Sequence, residues 1–224
     1  MKKLLLFTAA VAVTLAMVSP ASATVLVFDL CYEFSGATAP EGAGPWLRAT
    51  FDDMDTPGSV RLTMEAIGLT DAEFVSEWSF NFDDTKTVTD LGVAQVSAPN
   101  TTVNGVSLGM NAFMADGDGS FDIKFDFAPP PGGDAKFQAG EAVVYDFTMA
   151  GITVADFNYT SFTGGGNGTW HTAAHVQGIG PDDSLSGWVG DCPPVPEPTS
   201  MLLLGFALAG SGGLGLIRRR RETK

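Results

Sequence analysis

The chain has 224 residues and a net charge of −14, and the imbalance deepens in its middle: Thr24 to Pro196 holds 24 acidic and five basic residues, a net charge of −19. That acidity argues against nucleic acid as a partner and for a solvated surface, with divalent cations as the second possibility. Fourteen Phe and four Trp in the same span supply a core for one domain, which argues against disorder.

In chain order, Lys2 and Lys3, the apolar stretch Leu4 to Val18 and Ala21-Ser22-Ala23 form the charged, hydrophobic and small-residue regions of a secretory signal peptide, expected at 1–23 with cleavage after Ala23. The exported domain is expected over 24–192, and its periodicity is two. Leu26, Phe28, Leu30, Tyr32 and Phe34 alternate with Asp29, Cys31 and Glu33. Val60, Leu62 and Met64 oppose Arg61, Thr63 and Glu65; Trp78, Phe80 and Phe82 oppose Glu77, Ser79 and Asn81. Phe121, Ile123, Phe125 and Phe127 oppose Asp122, Lys124 and Asp126, and Val143, Tyr145 and Phe147 mark another strand. Asn104-Gly105 reads as a two-residue hairpin turn, and Thr70 with Glu73 as a capping box for one or two helical turns. Gly164 to Gly168 reads as an exposed loop. Many short strands with Gly/Pro-rich connections predict an all-β fold, an antiparallel β-sandwich or jelly-roll.

Pro193, Pro194, Pro196 and Pro198 predict a stiff spacer over 193–200. An uncharged run from Met201 to Ile217 follows, 17 residues that as a helix rise about 26 Å, enough for a single C-terminal transmembrane helix over 201–217. Arg218, Arg219, Arg220 and Arg221 open a basic tail, 218–224, that should stay cytoplasmic and set the topology. Pro196-Glu197-Pro198, the Leu/Gly-rich helix and the arginine cluster together resemble the PEP-CTERM sorting signal of Gram-negative bacteria, although Thr199 precedes Ser200 where Ser often comes first. The resemblance covers about the last thirty residues. It implies recognition at the inner membrane by an exosortase, an integral-membrane peptidase or transpeptidase, and membership of a biofilm or exopolysaccharide system. An ordinary C-terminal anchor is the alternative; a glycolipid-anchor signal would lack the four arginines.

Candidate chemistry within the domain is thin. Cys31 and Cys192, near its two ends, are a natural disulfide in an oxidising compartment. His171 and His175 would share one helix face and could hold zinc, but Gly168, Gly178 and Gly180 oppose a helix, and on a strand residues four apart stand about 13 Å from one another. They read as surface or strand-edge histidines. Asp116, Asp118 and Asp122 resemble the opening of a calcium loop, yet Phe121 and Phe127 occupy the positions where an EF-hand needs Gly and Glu. A turn into the following strand is the better reading. A looser calcium site, with Asp52, Asp53 and Asp55, is the only cofactor expectation. Trp78 falls in phase with the core, whereas Trp170 and Trp188, in Gly-rich surroundings, are the better surface platforms for a sugar, with Trp46 unassigned. No nucleophile elbow, phosphate loop or dinucleotide fingerprint is present. The sequence therefore points to a non-catalytic surface or extracellular-matrix protein, transiently at the inner membrane and finally at the cell surface. The alternative is a carbohydrate-binding module or glycan-active enzyme on the same scaffold.

Overall fold

Burial on one face explains most of the strands. Ile123, Phe125 and Phe127 are buried in the main core, while Lys124 and Asp126, between them, pair at 2.8 Å on the opposite face, so the period of two becomes an inside and an outside. Phe121, at the start of the run, joins a separate cluster with Phe34, Ala115 and Ala173. The computed structural model describes residues 24–70, 72–128, 135–162 and 168–193. Its strands are β1 (Val25–Glu33), β2 (Leu47–Asp52), β3 (Ser59–Glu65), β4 (Phe74–Phe80), β5 (Gly92–Ser97), β6 (Val103–Ala115), β7 (Asp118–Phe127), β8 (Phe137–Gln138), β9 (Ala142–Thr148), β10 (Thr172–Ile179) and β11 (Leu185–Asp191). Helical structure among the described residues is confined to single turns such as Val88–Asp90 and Val154–Phe157. None is long and apolar enough to cross a membrane.

All the pairings are antiparallel and build one sheet in the order β5-β9-β3-β2-β1-β11-β10-β4-β7-β6, with β8 added to β4. The sheet bends back on itself. β9 and β7 lie near opposite ends of that order, yet the Tyr145 and Phe125 rings are 5.0 Å apart, and Phe51 of β2 meets Phe80 of β4 edge-on at 5.5 Å. A nearly barrel-like sheet around one aromatic core results, with Trp78, Phe51, Phe80, Phe82, Phe125, Phe137 and Phe147 among its fully buried side chains. Each such ring removes roughly 150–250 Å² from water, the main stabilising term of the domain.

The first and last strands are neighbours at the centre of the sheet. β1 pairs with β11 through Tyr32↔Gly190 and Glu33↔Val189, and just past β11 the Cys192 amide donates to the Asp29 carbonyl at 2.7 Å. The expected Cys31–Cys192 disulfide is present beside this ladder. On the outer face, Arg48 grips Asp29 of the adjacent strand through two hydrogen bonds (2.6 and 2.9 Å), and Arg61 grips Asp146 in the same way (2.8 and 2.9 Å). Lys86 pairs with Asp156, and Lys136 lies over the Phe74 ring. All five basic residues of the domain are thus committed to partners.

Two local expectations are corrected. Asn104-Gly105 is not the hairpin turn: both residues lie inside β6, at a register shift between Val103 and Gly105, where the Asn104 amide donates to the Phe127 carbonyl at 3.2 Å. The turn is made instead by Asp116 and Gly117, whose φ angles of 50° and 75° suit a tight hairpin. The Glu73 carboxylate accepts the Thr70 amide and hydroxyl, but the Glu73 amide donates to the Thr70 carbonyl and not to its side chain, and β4 begins at Phe74, so these contacts close a turn and not a helix. The expected signal peptide, the loop residues 164–167, the motif Pro196-Glu197-Pro198, the helix 201–217 and Arg218 to Arg221 lie outside the described residues.

Candidate functional site

Among the described residues a concavity forms where β4, β6 and β7 stop behaving as regular strands. Beyond β4, Phe82 stays in the core against Phe157, which turns Asn81 to the side; its amide nitrogen donates to the Trp170 and His171 carbonyls, both at 2.9 Å. Across from it β6 bulges. Its register on β7 jumps from Leu108↔Ile123 to Phe113↔Phe121, so Gly109 to Ala112 loop outward opposite Asp122 alone, and Asn111 takes a left-handed φ of 49°.

Asp122 fastens the two sides. One carboxylate oxygen accepts the Phe82 amide at 2.9 Å and the other accepts the Asn111 amide at 2.6 Å. The side chain is buried, and that burial, reinforced by the negative charge of Asp84, raises its carboxyl above the usual range in spite of the two N–H donors. The third wall is the segment Tyr159 to Phe162, held by paired backbone bonds between Phe162 and Ser120. These walls enclose a cavity of about 90 Å³. Its rim carries exposed apolar groups, Phe162 (67% exposed), Met110 and Tyr159, beside the carboxylate of Asp84 and the amides of Asn81 and Asn111. Behind it, the Thr85 hydroxyl (2.7 Å) and amide (2.9 Å) donate to Asp83 and hold that carboxyl below the usual range. Among the described residues no lysine or arginine lines the cavity.

The chain matches no protein-family model, no curated protein and no solved structure. At this cleft an apolar rim, two amides and one solvent-facing carboxylate can bind a small polar ligand with an apolar face.

The residues singled out from sequence fare differently. Trp78 is fully buried, as its phase requires, and its indole N–H donates to the Thr172 hydroxyl at 2.7 Å. Trp46 is also buried, donating to the Gly42 carbonyl at 2.6 Å. Trp170 and Trp188 are not open platforms. Trp170 is stacked against both Tyr32 (5.4 Å) and Phe34 (5.0 Å), over Gly190, where even a methyl group would come within 2.6 Å of the ring. Trp188 stacks on His175 at 4.9 Å.

His171 and His175 lie before and within β10, an interior strand, half-buried and not at a sheet edge. They serve separate partners: His171 pairs with Asp191 at 2.9 Å and stacks on Phe28, while the His175 ring meets the Ser76 hydroxyl at 3.0 Å, and burial lowers its pKa. Among the described residues no group of three or more His, Cys, Asp or Glu is placed to hold a metal. Asp116 sits in the β6–β7 turn, Asp122 is tied to backbone, and the Asp118 side chain lies outside the described set. Asp52 and Asp53 accept local amides in the β2–β3 turn (Met54 at 2.7 Å, Asp55 at 3.2 Å). Of the residues that line the cleft, the sequence marks only Asp122 as a site candidate, and it does so through the calcium-like run Asp116 to Asp122.

Proposed function

We propose that this chain is an exported, non-catalytic protein of the cell surface or extracellular matrix, delivered through its PEP-CTERM-like C-terminus and associated with exopolysaccharide. The observation that carries the reading is the Cys31–Cys192 disulfide. It locks the first strand to the residue that follows the last one, a feature suited to an oxidising compartment, and it does so immediately before the proline-rich spacer at 193–200. The sheet, read as a two-layer sandwich, is then a finished, stapled module whose two chain ends lie together. A structural role for the titratable groups supports the non-catalytic reading: His171, His175 and Asp122 are each held by contacts within the fold. The exosortase is the inner-membrane partner this reading requires. Intact-mass analysis of the mature protein from cells with and without their exosortase tests it. Loss of the segment from Met201 onward only when the enzyme is present is the expected result; retention of that segment in both strains would leave an ordinary membrane anchor. Glu197→Ala should leave export intact while an unprocessed form accumulates.

A further inference from the structure

We propose that the cleft between Asn81, Asp84, Asn111 and Phe162 binds one pyranose ring of a non-anionic glycan. This goes beyond an association with exopolysaccharide by naming the site and the class of sugar, and it rests on that reading only for its biological setting. Three observations converge. First, Phe162 is 67% exposed, with Met110 and Tyr159 each 40% exposed beside it, an apolar rim facing solvent next to a polar floor. A pyranose matches this combination because one ring face presents C–H bonds while its edge presents adjacent hydroxyls.

Second, the polar groups are preorganised. Asn81 is 2% exposed, and two carbonyls fix its amide nitrogen, so its oxygen is the atom left for a ligand; among the described residues no donor reaches it. Asn111 is held by the bond from its backbone amide to Asp122, which leaves its side-chain amide to donate and accept. Asp84 is exposed at the rim and can accept from two neighbouring hydroxyls. Third, the charge selects. Asp84 and Asp122 face the cavity, and among the described residues no cation lines it; Lys86 is bound to Asp156 and Lys124 to Asp126. Uronic or sulfated sugars are repelled. A divalent cation is the weaker occupant, because both Asp122 oxygens already receive N–H donors and calcium takes about 6–8 oxygen ligands.

The test is affinity electrophoresis of the full exported chain through gels containing dextran, galactomannan, hydroxyethyl cellulose or alginate, followed by calorimetry with the matching hexasaccharides and with calcium chloride alone. At least one neutral polymer should retard the protein and alginate should not. Phe162→Ala and Asp84→Asn should each weaken binding about tenfold, equivalent to about 1.4 kcal/mol, with the melting temperature unchanged because both side chains lie at the surface. Binding that ignores both variants, retardation by alginate alone, saturable calcium binding without sugar, or no retardation at all would each overturn the proposal. A negative result with a correctly trimmed C-terminus leaves the sorting reading in place, and glycan binding by an untrimmed chain does the reverse, so the two fail separately.

Discussion

Removing the disulfide by Cys31→Ala with Cys192→Ala should destabilise the domain by about 5 kcal/mol, and the structure shows why the effect belongs to the unfolded chain. In the folded state the bond has little aligning to do. The β1–β11 ladder and the bond from the Cys192 amide to the Asp29 carbonyl already hold both residues in place. Once the sheet melts, the bond alone keeps residues 161 apart in sequence together, and the loop-closure entropy of a ring that size is about 5 kcal/mol at room temperature. For a domain of this size, each kcal/mol moves the melting temperature by about 2–4 °C, so the variant should melt about 10–20 °C lower. Urea titration followed by tryptophan fluorescence, with stopped-flow folding and unfolding rates, measures both parts. Folding should slow, and unfolding should change little if the ladder stays intact up to the transition state. A loss below about 1 kcal/mol, or a loss carried wholly by faster unfolding, would refute the reasoning and assign the bond a role in holding the native strands.

Asp122→Ala strips the acceptor from the Phe82 and Asn111 amides, and each unpaired buried donor costs about 1–3 kcal/mol, read by thermal unfolding. Because burial raises this carboxyl in the folded protein, its contribution to wild-type stability is greatest below the ordinary carboxylate pKa and declines as pH climbs through the raised value; the variant should lack that slope. Gly190→Ala places a methyl 2.6 Å from the Trp170 ring and should cost about 1–3 kcal/mol, with a red-shifted tryptophan emission as the indole leaves Tyr32 and Phe34; an unchanged spectrum would contradict the stack. Incubation with neutral polysaccharides should release no new reducing ends, and a release abolished by Asp84→Asn would replace the binding reading with a hydrolytic one.

What the sequence disclosed depended on whether a strand had one buried face. β3, β7 and β9 alternate cleanly because Val60, Leu62, Phe125, Tyr145 and Phe147 point inward while Arg61, Asp126 and Asp146 reach water. β10 carries no such contrast. Ala173 packs outward against Phe34 and Phe121, Ala174 and Val176 pack inward, and the strand is buried on both sides. β11 shows no alternation in sequence because Gly187 and Gly190 interrupt it, yet both are required by close approach: a methyl on Gly187 would meet the Thr38 carbonyl at 2.2 Å. The Gly-rich surroundings that made Trp170 and Trp188 look exposed therefore mark the places where backbone and indole pack most tightly. The cleft stayed hidden for another reason. Asn81, Asn111 and Phe162 belong to three distant segments, and only the bend of the sheet and a bulge in β6 bring them together.

The adjacency of the domain's two ends also has a mechanical consequence. A pull on the chain beyond Cys192 would ordinarily peel β11 from the sheet one pair at a time, the weakest direction in which a strand can be loaded. Here the tension passes through the Cys31–Cys192 bond into β1 at once, so two interior strands, each flanked by a further partner in β2 and β10, must move together before any unzipping begins. A load applied beyond Cys192 is therefore borne by the middle of the sheet and not by its last strand.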